Sequence, residues 1–156
     1  MALMPSLNPR IVEALYAEAL VLADEVRQQF EQARRDAVDE CEAADDLSNV
    51  ALSCEALRTT TRVMHCLAWL LNHRAYFAGE LSELQLRRHG RLIANMPPSE
   101  PDNVAMLSPR VQQLVSESER LYERIERLEN AWRGEVPEGP TAIERLRQRL
   151  AASMGA

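Results

Sequence analysis

The chain contains no lysine, and aromatic residues make up only 4% of it. All 18 basic residues are therefore arginines. Two explanations stay open: the codon composition of a GC-rich genome, or a use for the planar guanidinium group in recognising carboxylates. Basic residues are also fewer than acidic ones, and the formal net charge is −6. This acidity argues against a nucleic-acid-binding protein, which normally carries a basic face.

Strand-forming and membrane-spanning segments are equally scarce. The chain has five glycines, and no run shows the alternating pattern of a β-strand. The longest uninterrupted strongly apolar run, residues 66–71, is far too short to cross a bilayer. The N-terminal sequence MALMPSLNPR lacks the basic and apolar regions of a signal peptide. We therefore expect an all-α, cytoplasmic protein that contacts no membrane.

The cysteines do not form a paired motif. They stand at positions 41, 54 and 66, and the last two lie on one predicted helix. About 18 Å separates Cys54 from Cys66 along that helix, so the two cannot form a disulfide. An odd number of thiols without a metal-binding spacing fits a reducing cytosol.

Apolar residues recur at alternating steps of three and four along three long segments, which predicts three helices with bundle seams. The first helix starts at Asn8, a favourable N-cap, with Pro9 in the first turn. Its C-terminal end lies in the acidic stretch 36–46, which we expect to be a frayed end and a loop. The seam of this helix comprises Val12, Tyr16, Ala19, Ala23, Val26, Phe30, Ala33 and Ala37.

The second predicted helix runs from Leu47 to Ala78 and stops at Gly79. Two apolar rows follow its length, and the first is expected to be its core seam. The first row comprises Leu47, Val50, Cys54, Leu57, Thr61, Met64, Ala68, Leu71, Ala75 and Ala78, and the second comprises Leu52, Ala56, Val63, Leu67 and Leu70.

A short helix follows, with Ser82 and Gln85 at capping-box spacing and Gly90 at its end. Residues 94–107 contain three prolines and predict an extended connection. The third long helix begins at Ser108 and ends at Gly134. Its seam comprises Val111, Leu114, Ser118, Leu121, Ile125, Leu128 and Trp132.

These elements predict an antiparallel three-helix bundle over residues 1–134, with a short extra helix. Residues 135–156 are expected to be a flexible tail. Within that tail, Thr141 and Glu144 would cap a short amphipathic helix. Two interpretations of the tail stay open: it is disordered filler, or its short helix is a linear motif that docks in the groove of a partner. Its apolar residues are Ile143, Leu146 and Leu150.

An apolar surface is left over on the second helix around residues 63–71, where Trp69 stands. A two-fold dimer is the commonest way to cover such a surface, so we expect a homodimer. The candidate dimer-face residues are Val63, Cys66, Trp69 and Leu70.

No residue pattern in the chain indicates catalysis. A di-metal bundle site needs Glu-x-x-His pairs, whereas positions three before the histidines hold Arg62, Leu70 and Leu86. His65 and His73 are about 12 Å apart along a helix and cannot share one metal ion. Gly-rich phosphate loops and nucleophile elbows are also missing. We expect a protein that is not an enzyme and that has no metal and no cofactor.

The best polar candidates form a ladder on the second helix: Glu55, Arg58 and Arg62. One interpretation is a solvated face with ion pairs worth less than about 1 kcal/mol each. The other is an arginine-rich surface for a partner, since arginine is enriched at binding hot spots. Three consecutive threonines at 59–61 are poor helix formers, which mildly favours a function there.

The segment CEALRTTTRVMHCLAWLL at residues 54–71 resembles the central helix of the RcdA family, the regulators of CtrA degradation of α-proteobacteria. The similarity continues at Gly79 and Glu80, and at Ser118, Leu121, Tyr122 and Arg124 in the third helix. It extends over about residues 9–133.

The resemblance implies a dimeric three-helix bundle that acts as an adaptor for the ClpXP protease. In that scheme the response-regulator-like protein CpdR primes the protease, and the adaptor docks on the primed complex. It then holds substrates such as transcription regulators, or a further cyclic-di-GMP-dependent adaptor, near the pore. The alternative is a regulatory or structural helical bundle that binds one partner without any role in proteolysis.

Overall fold

The protein is described by a computed structural model, which covers residues 7–39, 46–134 and 142–154. Every regular element in these ranges is a helix. They are α1 (Pro9–Asp39), α2 (Asp46–Phe77), α3 (Glu83–His89), α4 (Pro101–Ala105), α5 (Pro109–Arg133) and α6 (Ala142–Met154). None of the helices in the described ranges is long and apolar enough to span a bilayer. The predicted all-α bundle is confirmed.

Helix ends follow the capping residues in the sequence. The Asn8 side chain accepts a hydrogen bond from the backbone of Arg10 at 2.9 Å, at the start of α1. Ser82 and Gln85 form the reciprocal capping box of α3. At the end of α5, Gly134 has a φ of 70°, a left-handed conformation that glycine adopts without strain. These predicted helix boundaries are confirmed.

Helix α1 runs antiparallel to both other long helices. Its Glu13 pairs with Arg74 near the end of α2 at 2.7 Å. Glu18 of α1 pairs with Arg124 of α5, and Glu25 pairs with Arg110. The two helices therefore run in opposite directions. Helices α2 and α5 are parallel to each other, because the connection that carries α3 and α4 returns along the bundle before α5 begins.

The core lies where α1, α2 and α5 meet. Helix α1 buries one continuous face, which includes Leu15 and Leu22 beside the predicted seam. A strict three-four row omits these two because an apolar face at a period of 3.6 residues is wider than a coiled-coil seam. The buried residues of α1 are Val12, Leu15, Ala19, Leu22, Val26 and Phe30.

The predicted core seam of α2 is wrong, because the helix presents that row to solvent. Leu57 is 70% exposed and Met64 is 63% exposed. The helix is apolar on two faces, so periodicity alone does not decide which face turns inward. The buried face comprises Ala51, Glu55, Thr59, Arg62, Val63, Cys66, Trp69, Leu70 and His73.

The connection between α3 and α5 is more ordered than predicted. The sequence predicts an extended connection over residues 94–107, whereas Pro101–Ala105 form the one-turn helix α4. Pro101 occupies the first helical position, where a missing backbone N–H costs nothing. The helix predicted in the tail is confirmed as α6. Its predicted cap, Thr141, and the segment that joins α6 to α5 lie outside the described residues.

Candidate functional site

Glu55 is a buried carboxylate that holds the connection before α5. It is 0% exposed and accepts a hydrogen bond from the backbone N–H of Glu100 at 3.1 Å. Arg58 donates to the same carboxylate oxygen at 2.8 Å from one turn further along α2. Because Glu100 is the N-cap of α4, this contact fixes where that helix begins.

Arg62 extends the same polar row into the bundle. Its side chain is 3% exposed and donates to the Ser118 hydroxyl of α5 at 2.9 Å. It also donates to the carbonyl of Pro97 and to the hydroxyl of Ser99, both at 3.3 Å. The guanidinium therefore joins α2, α5 and the connection at one point, which suits its several donors in a rigid plane.

Two of the three predicted partner-binding residues are therefore inside the fold. The prediction is wrong for Glu55 and Arg62, and so is the alternative that they form a solvated face. Arg58, whose side chain is 30% exposed, is the one member that reaches the surface. Glu55 and Arg62 can face inward because backbone and hydroxyl groups of α5 and of the connection hydrogen-bond to them.

The predicted dimer face is also wrong. Its four residues, Val63, Cys66, Trp69 and Leu70, are each at most 2% exposed in a single chain. They belong to the core, so a second copy cannot pack against them. Burial raises the pKa of the Cys66 thiol to about 12, and a thiol in that state is unreactive at neutral pH.

A different apolar surface runs along the outer face of α2, and we name it the α2 stripe. Its large residues recur at bundle spacing from Leu47 to Leu71, a length of about 36 Å along the helix. The smaller residues Cys54, Thr61 and Ala68 stand between them at the same spacing. The α2 stripe comprises Leu47 (69% exposed), Val50 (58%), Leu57 (70%), Met64 (63%) and Leu71 (47%).

The apolar periodicity of α2 predicts every member of this stripe as a core residue, whereas the structure exposes all five. A signal for the correct face was present, since Glu55, Thr59 and Arg62 recur at helical spacing on the other side. Polar residues at such regular steps indicate either a solvent-exposed face or a buried row of polar side chains. Only the positions of α5 and of the connection decide between the two.

The predicted tail motif is exposed. Ile143, Leu146 and Leu150 of α6 are 68%, 59% and 54% exposed. Within the described residues, α6 approaches no other helix. The motif is therefore presented to solvent on a helix, and its docking role stays a prediction.

Within the described ranges, no three His, Cys, Asp or Glu side chains lie close enough together to hold a metal ion. His65 is partly buried on α2, whereas His73 is wholly buried. Its Nδ1 lies 2.9 Å from the backbone carbonyl of Trp69. That contact assigns the proton to Nδ1, because a carbonyl oxygen can only accept.

Comparison with known proteins places the chain in a family. No curated protein and no solved structure matches it. Residues 3–154, almost the whole chain, match the family described as "Protein of unknown function (DUF1465)". The match includes the α2 stripe, the buried polar row and α6. The chain therefore belongs to the DUF1465 family.

Proposed function

We propose that this protein is a non-enzymatic adaptor that works by binding other proteins. The observation that carries the proposal is the α2 stripe, a row of five large apolar side chains about 36 Å long. Contiguous apolar surface of this kind marks protein interaction sites. The bundle beneath the stripe is fixed by core packing and by the Glu55 and Arg62 contacts, so the surface is presented on a rigid support.

The partner that we propose follows from the resemblance of residues 54–71 to the RcdA family. The adaptor binds a ClpXP protease complex primed by a response-regulator-like protein and delivers substrates for cell-cycle-regulated proteolysis in the cytoplasm. Tethering explains how such a protein accelerates degradation without catalytic groups. A substrate held beside the protease experiences an effective concentration in the millimolar range, so a weak contact becomes productive.

A second copy is the occupant that fits the α2 stripe. The stripe is longer than the 13-residue α6, whereas α2 of another chain has the same length and the same apolar row. Two α2 helices that cross antiparallel, centred between Leu57 and Thr61, bring Leu47 of one copy opposite Leu71 of the other. The homodimer therefore remains part of the proposal, with its face moved from the core residues to the stripe.

The dimer is tested by placing a charge on the stripe. Leu57→Glu should convert a dimer to a monomer in light scattering, with an unchanged helical circular dichroism spectrum. Leu84→Glu is the matched control, because Leu84 is 60% exposed but lies on α3. Leu57→Glu protein that keeps the dimer mass would remove the stripe from the interface.

The adaptor role is tested by protein half-lives after translation is stopped, in cells with and without this protein. A small set of proteins should become long-lived in its absence. These substrates are then degraded in vitro by ClpXP with the priming factor, with and without the adaptor. Unchanged half-lives across the proteome would favour the alternative, a regulatory or structural bundle with no role in proteolysis.

A further inference from the structure

Helix α6 carries an apolar face that nothing in the described part of the chain covers. The helix has 13 residues and contacts no other helix there. The apolar side chains of the face are exposed, and they are Ile143, Leu146 and Leu150. A helix of this length is only marginally stable in water unless one face packs against another surface. The helical state of α6 therefore favours a surface that covers these side chains.

α6 is also a basic segment of an acidic protein. Its sequence AIERLRQRLAASM contains three arginines and one glutamate, whereas the whole chain has a net charge of −6. Arg147 and Arg149 are exposed, and neither has an ion-pair partner within the described residues. A surface that suits α6 should therefore combine apolar groups with unpaired carboxylates.

Two apolar surfaces of the bundle lack such carboxylates. Between the first and the last residue of the α2 stripe the only carboxylate is Glu55, which is buried on the opposite face. The groove between α1 and α5 has three glutamates, but it also has three arginines. Two of those glutamates, Glu18 and Glu25, are already paired with arginines of α5. Neither surface has the charge that would attract a basic helix.

A third surface, the cleft between α5 and the connection before it, combines the two features. We name it the connection cleft, and its volume is about 380 Å³. Met96, Pro97 and Pro98 supply its apolar wall, and the two prolines are exposed. Because proline has no backbone N–H, an apolar side chain can cover these two residues without leaving a donor unpaired.

Carboxylates of α5 line the opposite wall of the connection cleft, and they belong to Glu119, Glu123 and Glu126. Glu119 lies 3.8 Å from the guanidinium group of Arg62, which offsets its charge. Glu123 and Glu126 are exposed and have no ion-pair partner within the described residues. Residues three apart are neighbours on a helix surface, where like charges repel each other. A cationic ligand would relieve that repulsion.

We propose that α6 docks in the connection cleft of its own chain, with its apolar face on the proline wall and its arginines beside Glu123 and Glu126. The chain between Gly134 and Ala142 can span about 27 Å. Glu119, the carboxylate farthest from the end of α5, lies about 21 Å from that end along the helix. α6 is about 20 Å long and the three carboxylates extend over about 10 Å, so one docked helix covers them all.

The structure describes α6 undocked, so docking is a second arrangement of the same chain. A tethered segment experiences an effective concentration in the millimolar range, and a weak contact is then enough to hold it. In the docked arrangement the apolar residues of α6 are withheld from other proteins until a more complementary groove displaces them. The inference goes beyond the proposed adaptor role, because docking within one chain needs neither a protease nor a second copy.

Amide hydrogen exchange of residues 142–154 in the full chain measures the docking. An undocked short helix exchanges almost as fast as an unfolded peptide, whereas a docked helix is protected. The synthetic peptide AIERLRQRLAASM is the reference. At low ionic strength we expect exchange in the full chain to be about tenfold slower than in the peptide. That ratio corresponds to a Kd of about 0.1 mM at an effective concentration of about 1 mM.

Neutral variants test whether the carboxylates hold α6. Glu123→Gln/Glu126→Gln removes both unpaired charges, and exchange should rise to within about threefold of the peptide. Glu80→Gln/Glu117→Gln is the matched control, because it removes the same charge outside the connection cleft. The control should keep the slow exchange. Fast exchange in the wild type, or slow exchange in both double variants, would overturn the docking.

An exchange of charges tests the pairing directly. Glu123→Arg/Glu126→Arg should abolish the slow exchange, because the cleft then repels α6. Adding Arg147→Glu/Arg149→Glu to the same chain should restore it to within about threefold of the wild type. If the fourfold variant exchanges as fast as the peptide, these arginines do not pair with the cleft and the proposed site is overturned.

The last arm distinguishes docking within one chain from docking on a second copy. The slow exchange should be the same at all protein concentrations, and it should persist in Leu57→Glu, which lacks the apolar centre of the α2 stripe. Protection that increases with protein concentration, or that disappears in Leu57→Glu, would assign α6 to a second copy and overturn the same-chain site.

Discussion

Helix α2 has two faces that reverse the usual arrangement of an amphipathic helix. Its inner face buries Glu55, Thr59, Arg62 and His73 among apolar side chains. Its outer face carries the α2 stripe, whose large apolar residues are between 47% and 70% exposed. By contrast, α1 keeps a continuous apolar face inside. Two of these four polar side chains, Glu55 and Arg62, have hydrogen-bond partners on α5 or on the connection. His73 instead contacts the backbone carbonyl of Trp69 within α2, and the Thr59 hydroxyl has no partner within the described residues.

Burial on α2 is decided by the available hydrogen-bond partners as well as by hydropathy. Glu55 is buried because the connection supplies a backbone N–H and α2 itself supplies Arg58. The stripe is exposed because α1 and α5 already cover the opposite side. An apolar face that the chain leaves uncovered is then available to another protein.

The sharpest test of the two faces uses adjacent leucines. Leu70 is 0% exposed and Leu71 is 47% exposed. Leu70→Ala should lower the free energy of unfolding by about 4 kcal/mol, because it opens a cavity in the core. Leu71→Ala should cost less than about 1 kcal/mol in the isolated chain. Urea denaturation at a protein concentration that keeps the chain monomeric measures both, and equal losses would contradict the assignment of faces.

His73 should make the inner face sensitive to acid. Burial lowers its pKa from 6.5 to about 4, so the folded chain keeps the imidazole neutral while the unfolded chain accepts a proton. The contribution to stability is therefore complete above pH 6.5 and is lost as the pH falls from 6.5 to 4. The loss should reach about 3 kcal/mol. The free energy of unfolding of the wild type, measured between pH 7 and pH 4, should fall by this amount in addition to the effect of the carboxylates.

The control for the acid effect is His73→Phe, which keeps a ring at the position but cannot titrate. The carboxylates contribute the same slope to both proteins, so the difference between the two curves isolates His73. If the free energies of unfolding of the wild type and the variant fall in parallel with pH, the pKa of His73 is not lowered in the folded chain.

Replacing Arg62 should lower the free energy of unfolding more than replacing a surface arginine does. Arg62→Met keeps much of the apolar stem but removes the hydrogen bonds to Ser118, Pro97 and Ser99. We expect a loss of about 2 kcal/mol in the free energy of unfolding. Arg35→Met is the control, since Arg35 forms an ion pair with Glu31 but its side chain is 65% exposed. That change should cost less than about 0.5 kcal/mol.

The bundle could be predicted from the sequence more fully than its surface. Helix ends at Asn8, Ser82 and Gly134 followed from local capping chemistry, which needs only neighbouring residues. The inside of α2 could not be predicted in the same way. It depends on Ser118 and on the backbone of Glu100, which are 56 and 45 residues from their partners in the chain. The contact of His73 with Trp132 could not be predicted for the same reason, because it joins α2 to α5.

The smallest expected effect is a gain in stability on the inner face. Thr59 is 0% exposed, and its hydroxyl has no hydrogen-bond partner within the described residues. Valine has the same branched shape without the polar atom, so Thr59→Val should raise the free energy of unfolding by about 1 kcal/mol. Thr60→Val, one position away at an exposed site, should change it by less than about 0.5 kcal/mol. A loss of stability in Thr59→Val would mean that the hydroxyl has a partner in solution, such as a buried water, and that the inner face of α2 is more completely satisfied than the fold indicates.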